Sequence, residues 1–310
     1  MAAVLLLLVG SLILFCVATE KGDDFMNEKY ETNHYTIQEG YRDISVITQT
    51  AEVAFVISDD GTTNVTCFEE SKMKHTVEVK DGKLVITVVD TRKWYDHISF
   101  GSFKTPKITV SLPEGEYGEL LIESSTGDVR THEKLLFDRI GIQLTTGDIH
   151  CLSSSRDKMN LKTSTGDITV KALSAGKLGL SVTTGKVTVT GTTVSQDIFL
   201  SVSTGKANLS DVSCEKLESK GSTGSLSLKN VIATKSFTIR RTTGNVRFDR
   251  CDAAEITVRV DTGDVTGTLL SDKTFLASSN TGKVNVPQNT VGGTCKITAS
   301  TGNIEIKTAN

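Results

Sequence analysis

A chain of 310 residues with a formal charge of −3 and a pI near 6.0 has room for one long domain or two ordinary ones. No Lys/Arg cluster is interleaved with aromatic residues, so nucleic acid is not an expected partner. Three prolines, 26 glycines and 5% aromatic residues point to a strand-rich chain with many tight corners.

The N-terminus is a run without charge, "AAVLLLLVGSLILFCVA", residues 2–18. It sits at the lower length limit for a membrane span. Two readings follow: an uncleaved signal anchor in helical form, or a signal peptide with Cys16-Val17-Ala18 as a poor cleavage motif. A lipid-attachment reading through Cys16 fits badly, because Phe15 stands where a small residue is needed. The next stretch, "TEKGDDFMNE", is mostly acidic. Lys/Arg excess marks the cytoplasmic side, so its absence favours a body held outside the membrane. The expectation is membrane contact through residues 2–18 with the C-terminal body outside, or secretion if the run is removed. Residues 19–33 read as a spacer.

Residues 34–118 carry strand signals without a strict period and read as an irregular β capping region. "DISVITQTAEVAFVISDDG" predicts two strands and a turn. "HTVEVKDGKLVITVV" predicts a hairpin turning at Asp81-Gly82. Between this hairpin and "KITVSLPEGEYGELLIESSTG" lies "RKWYDHISFGSF", which holds the only Trp. Its Trp94, Tyr95, Phe100 and Phe103 are a candidate contact site for a sugar or a protein. The competing reading packs them under the cap.

From residue 119 to 310 the chain repeats. Thr-Gly occurs ten times at spacings of 19 or 20: Thr126-Gly127, Thr146-Gly147, Thr165-Gly166, Thr184-Gly185, Thr204-Gly205, Thr223-Gly224, Thr243-Gly244, Thr262-Gly263, Thr281-Gly282 and Thr301-Gly302. Seven residues before each glycine stands an apolar residue, from Leu120 and Ile140 to Cys295. Five before is apolar in most repeats, with Ser219 as an exception. Two after stands another apolar series, Val129, Ile149, Ile168 and onward. Spacing by two means strands with one buried face. The inward set is odd before the glycine and even after it, and a continuous strand cannot reverse its faces that way. Thr-Gly is therefore a structural corner, where glycine relaxes the backbone limits. Six to eight polar residues then return the chain to the next unit.

A unit this short buries its apolar face only by stacking. No helix-period segment intervenes, and propeller blades need about twice the period. The fold class is all-β: a single-chain parallel β-solenoid, or β-helix, of about ten coils of 19–20 residues. At a strand spacing of about 4.8 Å it makes a rod of roughly 48 Å. The chain ends directly after the last coil, at Lys307–Asn310. This predicts that a partner or a second copy covers the C-terminal coil.

Candidate sites along the repeat are few. The ten threonines stack into one edge, either as corner chemistry or as a regular surface for a repetitive ligand. The residue after each glycine varies, and Asp128, Asp148 and Asp167 fall on neighbouring coils. Stacked carboxylates about 5 Å apart repel unless solvent or a cation intervenes. They are a candidate Ca²⁺ site, although the G-G-x-G-x-D nonapeptides of calcium-binding β-rolls are absent. Cys67, Cys151, Cys214, Cys251 and Cys295 form neither a disulfide framework nor a C-x-x-C zinc pattern and read as small buried residues. His34, His75, His97, His132 and His150 show no metal spacing. No cofactor is expected. A catalytic reading would place Asp148, Asp167, Lys186 and Arg241 on one outer face, as in carbohydrate-active β-helix enzymes, but no long loop builds a cleft for them.

The repeated "STGDI", "TTGDI" and "DTGDV" coils resemble those of the bacterial DUF4097 family, as do "FDRCDAAEITVRVDTGDVTGTLLSDKTF" and "CKITASTGNIEI". The resemblance covers roughly residues 40 to 310. It implies a β-helix-like fold and an adhesin-type role in the cell envelope outside the cytoplasm, with an envelope protein or glycan as partner. It brings no catalytic residues. The alternatives are an envelope-stress or regulatory protein-interaction module and, second, a carbohydrate-active enzyme.

Overall fold

The computed structural model describes residues 30–93, 104–288 and 291–309. The apolar run 2–18 lies outside these residues. So does the aromatic segment with Trp94, Tyr95, Phe100 and Phe103. Every regular element among the described residues is a strand, and no helix there is long and apolar enough to cross a membrane.

The repeat is a parallel β-solenoid. In one step, Ile140 pairs with Leu120 on one side and Met159 on the other, and Thr146 lies between Thr126 and Thr165. The ten corner glycines hold φ between 124° and 150°, a region L side chains avoid. A Cβ on Gly205 would also stand 1.8 Å from the Gly185 carbonyl oxygen. Nine complete turns run between the ten corners.

The parity switch at Thr-Gly holds. Leu120 and Ile122 are buried before the first corner, and Val129 after it. The third residue before the glycine also points inward, as Leu144, Val182, Val202 and Val260 do. This corrects the placement of Arg241, which occupies that position: it lies inside the rod at 4% exposure, not on an outer face.

The expected polar return loop is a strand as well. Ala207–Thr223 runs on without a break. A second corner comes six residues after the glycine, where Ala172, Gly191, Asp211, Asn230 and Arg250 adopt φ between 50° and 58°. Beyond it Val212 and Cys214 turn inward. A register shift between Cys214 and Lys216 restores the starting parity. Each full coil thus has three short strand segments around one continuous apolar core. All five described cysteines are free and buried.

Both ends depart from sequence order. Asp43–Thr48 and Glu52–Ile57, the two strands the sequence predicts there, form one coil. It lies between the coil of Lys83–Asp90 and Lys107–Leu112 and the coil of Gly115–Thr126 and Val129–Arg130. Antiparallel strands close that end: Tyr30–Ile37 on Thr63–Glu70, Thr63–Glu70 on Lys107–Leu112, and Met73–Lys80 on Lys83–Asp90. The last pair turns at Asp81-Gly82, as the sequence predicts, with φ of 50° and 72°. At the other end Gly293–Thr301 inserts between Ile256–Thr262 and Lys273–Thr281. The last coil in sequence is therefore covered by this chain's own preceding coil, and the open edge passes to Lys273–Asn285.

Candidate binding groove

Before each corner, inward residues alternate with outward ones, and the outward positions build a groove along the rod. One row crosses six neighbouring coils as Leu121, Gly141, Asn160, Gly179, Phe199 and Glu218. The adjacent row is Glu123, Gln143, Lys162, Ser181, Ser201 and Lys220. Gly141 and Gly179 put backbone where the other coils put side chains. Leu121 leans over the first gap, its Cδ1 3.3 Å from where a Gly141 Cβ would be. Asn160 leans over the second, its Oδ1 2.5 Å from a Gly179 Cβ position. The resulting groove has a volume of about 620 Å³. Phe199 rises from it with 47% of its surface exposed.

The groove has apolar and polar contacts but not the layout of a glycosidase. Leu121 and Phe199 offer apolar surface, and the amide, hydroxyl and ammonium groups of the second row offer hydrogen bonds. Lys220 pairs with Glu218 at 2.6 Å. The carboxylates lining it, Glu123 and Glu218, lie five coils apart, about 24 Å at strand spacing. Paired-carboxylate hydrolysis needs them within about 10 Å.

The corner residues are accounted for by the backbone. All ten threonines are exposed and stack in register along one edge. Asp128 accepts a hydrogen bond from the Asp148 amide (2.8 Å), Asp148 from the Asp167 amide (2.7 Å), and Asp167 from the Lys186 amide (2.7 Å). Asn245, Asp264 and Asn303 repeat the pattern on the amides of Asp264, Asn303 and Lys283. Each short acceptor satisfies a corner N–H one coil on, which spreads the charge of the stacked carboxylates into backbone dipoles.

Of the four residues of the catalytic reading, Asp148, Asp167 and Lys186 stack on neighbouring coils, and Arg241 does not join them. Asp148 and Asp167 hold amides, and Arg241 is buried several coils away with Nη2 on Ser219 Oγ at 2.8 Å. Burial lowers its pKa from 12.5 to about 10. Its Nε has no hydrogen-bond partner.

The sequence reading missed the groove. Its signal was present as glycine and phenylalanine at outward positions, Gly141, Gly179 and Phe199, where a solvated strand favours other residues.

Fold and groove together define a parallel β-solenoid with an open trough on one outer face. The chain belongs to the Toastrack DUF4097 family, whose model matches residues 41–201 and 195–310. Among solved structures it is similar to a protein of Parabacteroides distasonis described as a "putative adhesin", with a TM-score of 0.51 and 16% identity over 79% of this chain and 98% of that one. A second "putative adhesin", from Parabacteroides merdae, matches with a TM-score of 0.50 and 11% identity over 91% and 97% of the two chains. A third, from Bacteroides fragilis, gives 0.45 and 17% over 91% and 98%. At these identities the likeness is one of fold. No curated protein matches the chain.

Proposed function

We propose that the chain is a non-catalytic binding module of adhesin type and that its groove holds an extended glycan. The observation that carries this reading is the outer-face trough from Leu121 to Lys220, with Phe199 exposed in it. An apolar ring beside a ladder of hydrogen-bonding groups suits a sugar, which has both apolar faces and hydroxyl edges. The strand repeat of about 4.8 Å presents those groups at regular steps, as a polymer requires. The names given to the structural neighbours agree with a binding role. The apolar run at residues 2–18 and the acidic stretch after it support work outside the cytoplasm, tethered or secreted.

A glycan array probed with the chain tests the reading. We expect a cluster of linear oligosaccharides bound by the native chain and lost in Phe199→Ala and in Gly141→Thr, which fills the trough. Binding that survives both changes, or an array without hits beside capture of an envelope protein, removes it.

A further inference from the structure

We propose that the N-terminal cap holds a zinc-type divalent cation on Cys67 Sγ, Glu69 Oε2 and His75 Nδ1. The hairpin of Thr63–Glu70 and Met73–Lys80 spans two faces of the rod: its first strand joins the Lys107–Leu112 edge and its second joins Lys83–Asp90. Inward residues from both strands therefore converge at one corner. Cys67 and Glu69 are two apart on one strand face, and His75 comes back from the other. Their ligand atoms all lie within 4.8 Å of one another. Cys67 and Glu69 have no exposed surface, and His75 has 2%.

The surroundings orient these atoms as an outer shell orients metal ligands. Thr48 Oγ1 lies 2.9 Å from His75 Nε2, holding the far side of the ring. That leaves Nδ1 turned to Glu69 Oε2 at 2.6 Å. Asn33 Nδ2 donates to the other carboxylate oxygen, Oε1, at 2.7 Å. The His75 backbone N–H also donates to Oε2 at 2.6 Å. Tyr35 ties the His75 carbonyl at 3.1 Å. The far atoms, His75 Nε2 and Glu69 Oε1, are thus engaged, which holds the three near atoms together.

Other cysteines differ. Cys151 meets Thr131 Oγ1, the Ser153 carbonyl and Met159 Sδ, and Cys251 meets the carbonyls of Leu228 and Asp249. The cap cluster is the one group of three such ligands among the described residues.

The charges and protons balance. On binding, Cys67 gives its thiol proton to solvent, and the hydrogen between His75 Nδ1 and Glu69 Oε2 leaves Nδ1 while Nε2–H faces Thr48 Oγ1, so that Cys67 binds as thiolate, His75 as neutral imidazole and Glu69 as carboxylate. Two negative charges then neutralise the dication, the condition for burying it. Thiolate, imidazole and carboxylate are a zinc donor set, and water completes four-coordination. A single cysteine with a glutamate two residues on and a histidine eight residues on has no C-x-x-C signature, which hides the site from sequence spacing.

The test uses the full chain purified without chelator. We expect one zinc per chain by elemental analysis and, on cobalt substitution, a thiolate-to-cobalt charge-transfer band. Cys67→Ala should lose the band with an unchanged far-ultraviolet spectrum, while Cys151→Ala keeps it. Asn33→Ala should weaken affinity by about 10–100-fold through release of Glu69. Should Cys67→Ala fail to fold, the native chain still decides: zinc content near zero with no cobalt band overturns the proposal, as does a band that persists without Cys67.

Discussion

The two ends of the rod solve one problem in two ways. At each end the sequence-terminal coil is tucked beneath its neighbour: Asp43–Ile57 under the coil of Lys83–Asp90 and Lys107–Leu112, and Gly293–Thr308 under Lys273–Asn285. The tuck pairs a terminal coil on both sides, where chain ends otherwise fray. The outermost coils then differ. The N-terminal one carries antiparallel strands whose outward residues are polar, such as Lys74, Thr76 and Glu78. The C-terminal one has no cover among the described residues, and Leu276 is 57% exposed there. A solenoid stops safely only where its edge is blunted, so the C-terminal coil is the weak end.

The largest expected effect comes from the corners. Gly205→Ala drives a Cβ into the Gly185 carbonyl inside the stack, where neither neighbouring coil can retreat. It should cost at least about 3 kcal/mol or abolish soluble expression. Gly282→Ala makes a similar clash with Gly302, but its coil can peel outward. Chemical denaturation should show loss of a small edge unit, not of the whole rod. Equal damage at both sites would erase the difference between interior and edge.

Core truncation grades the same contrast. Phe237 is buried and stacks on Phe248 at a ring separation of 6.3 Å, so Phe237→Ala should cost about 3–5 kcal/mol. Phe275 occupies the same corner-relative place in the open coil but is half-buried. Phe275→Ala should cost less than about 2 kcal/mol. Hydrogen exchange followed by mass spectrometry should rank the same regions, with Lys273–Asn285 exchanging before any interior coil.

Arg241 gives an effect of opposite sign. Its guanidinium is buried with one hydroxyl partner and no carboxylate. Because burial lowers its folded pKa to about 10, the charged form opposes folding at every pH below 10. That penalty falls as pH rises from 10 toward 12.5. Arg241→Met should raise stability at neutral pH by about 1–4 kcal/mol, read as a higher denaturation midpoint. A loss of stability would mean the charge has a partner.

The corner ladder is worth a like amount. Asp167→Ala frees the Lys186 amide and should cost about 1–3 kcal/mol, whereas Asp167→Asn keeps an acceptor and most of the stability. Calcium should leave the thermal midpoint unchanged, since the carboxylates serve amides. A calcium-dependent rise would restore the cation reading of Asp128, Asp148 and Asp167.

The Thr-Gly corners and the parity switch were legible because one residue type recurs where geometry demands it. The second corner was not, because Ala172, Asp211, Asn230 and Arg250 share a left-handed backbone but no residue identity. The out-of-order coils were hidden for a related reason. Every coil carries the same inward pattern, so periodicity cannot say which coil stacks on which. The groove depends on residues pointing away from the core, where the apolar period is silent. The cap cluster depends on a hairpin spanning two faces, which no spacing rule encodes.

The most direct measurement is affinity against chain length for a linear oligosaccharide found on the array. The groove spans about 24 Å over six coils, so affinity should rise with each added sugar up to about five units and then level off. Phe199→Ala should flatten that rise. A monosaccharide bound as tightly as the hexamer, or a length dependence untouched by Phe199→Ala, would contradict a groove that reads an extended glycan.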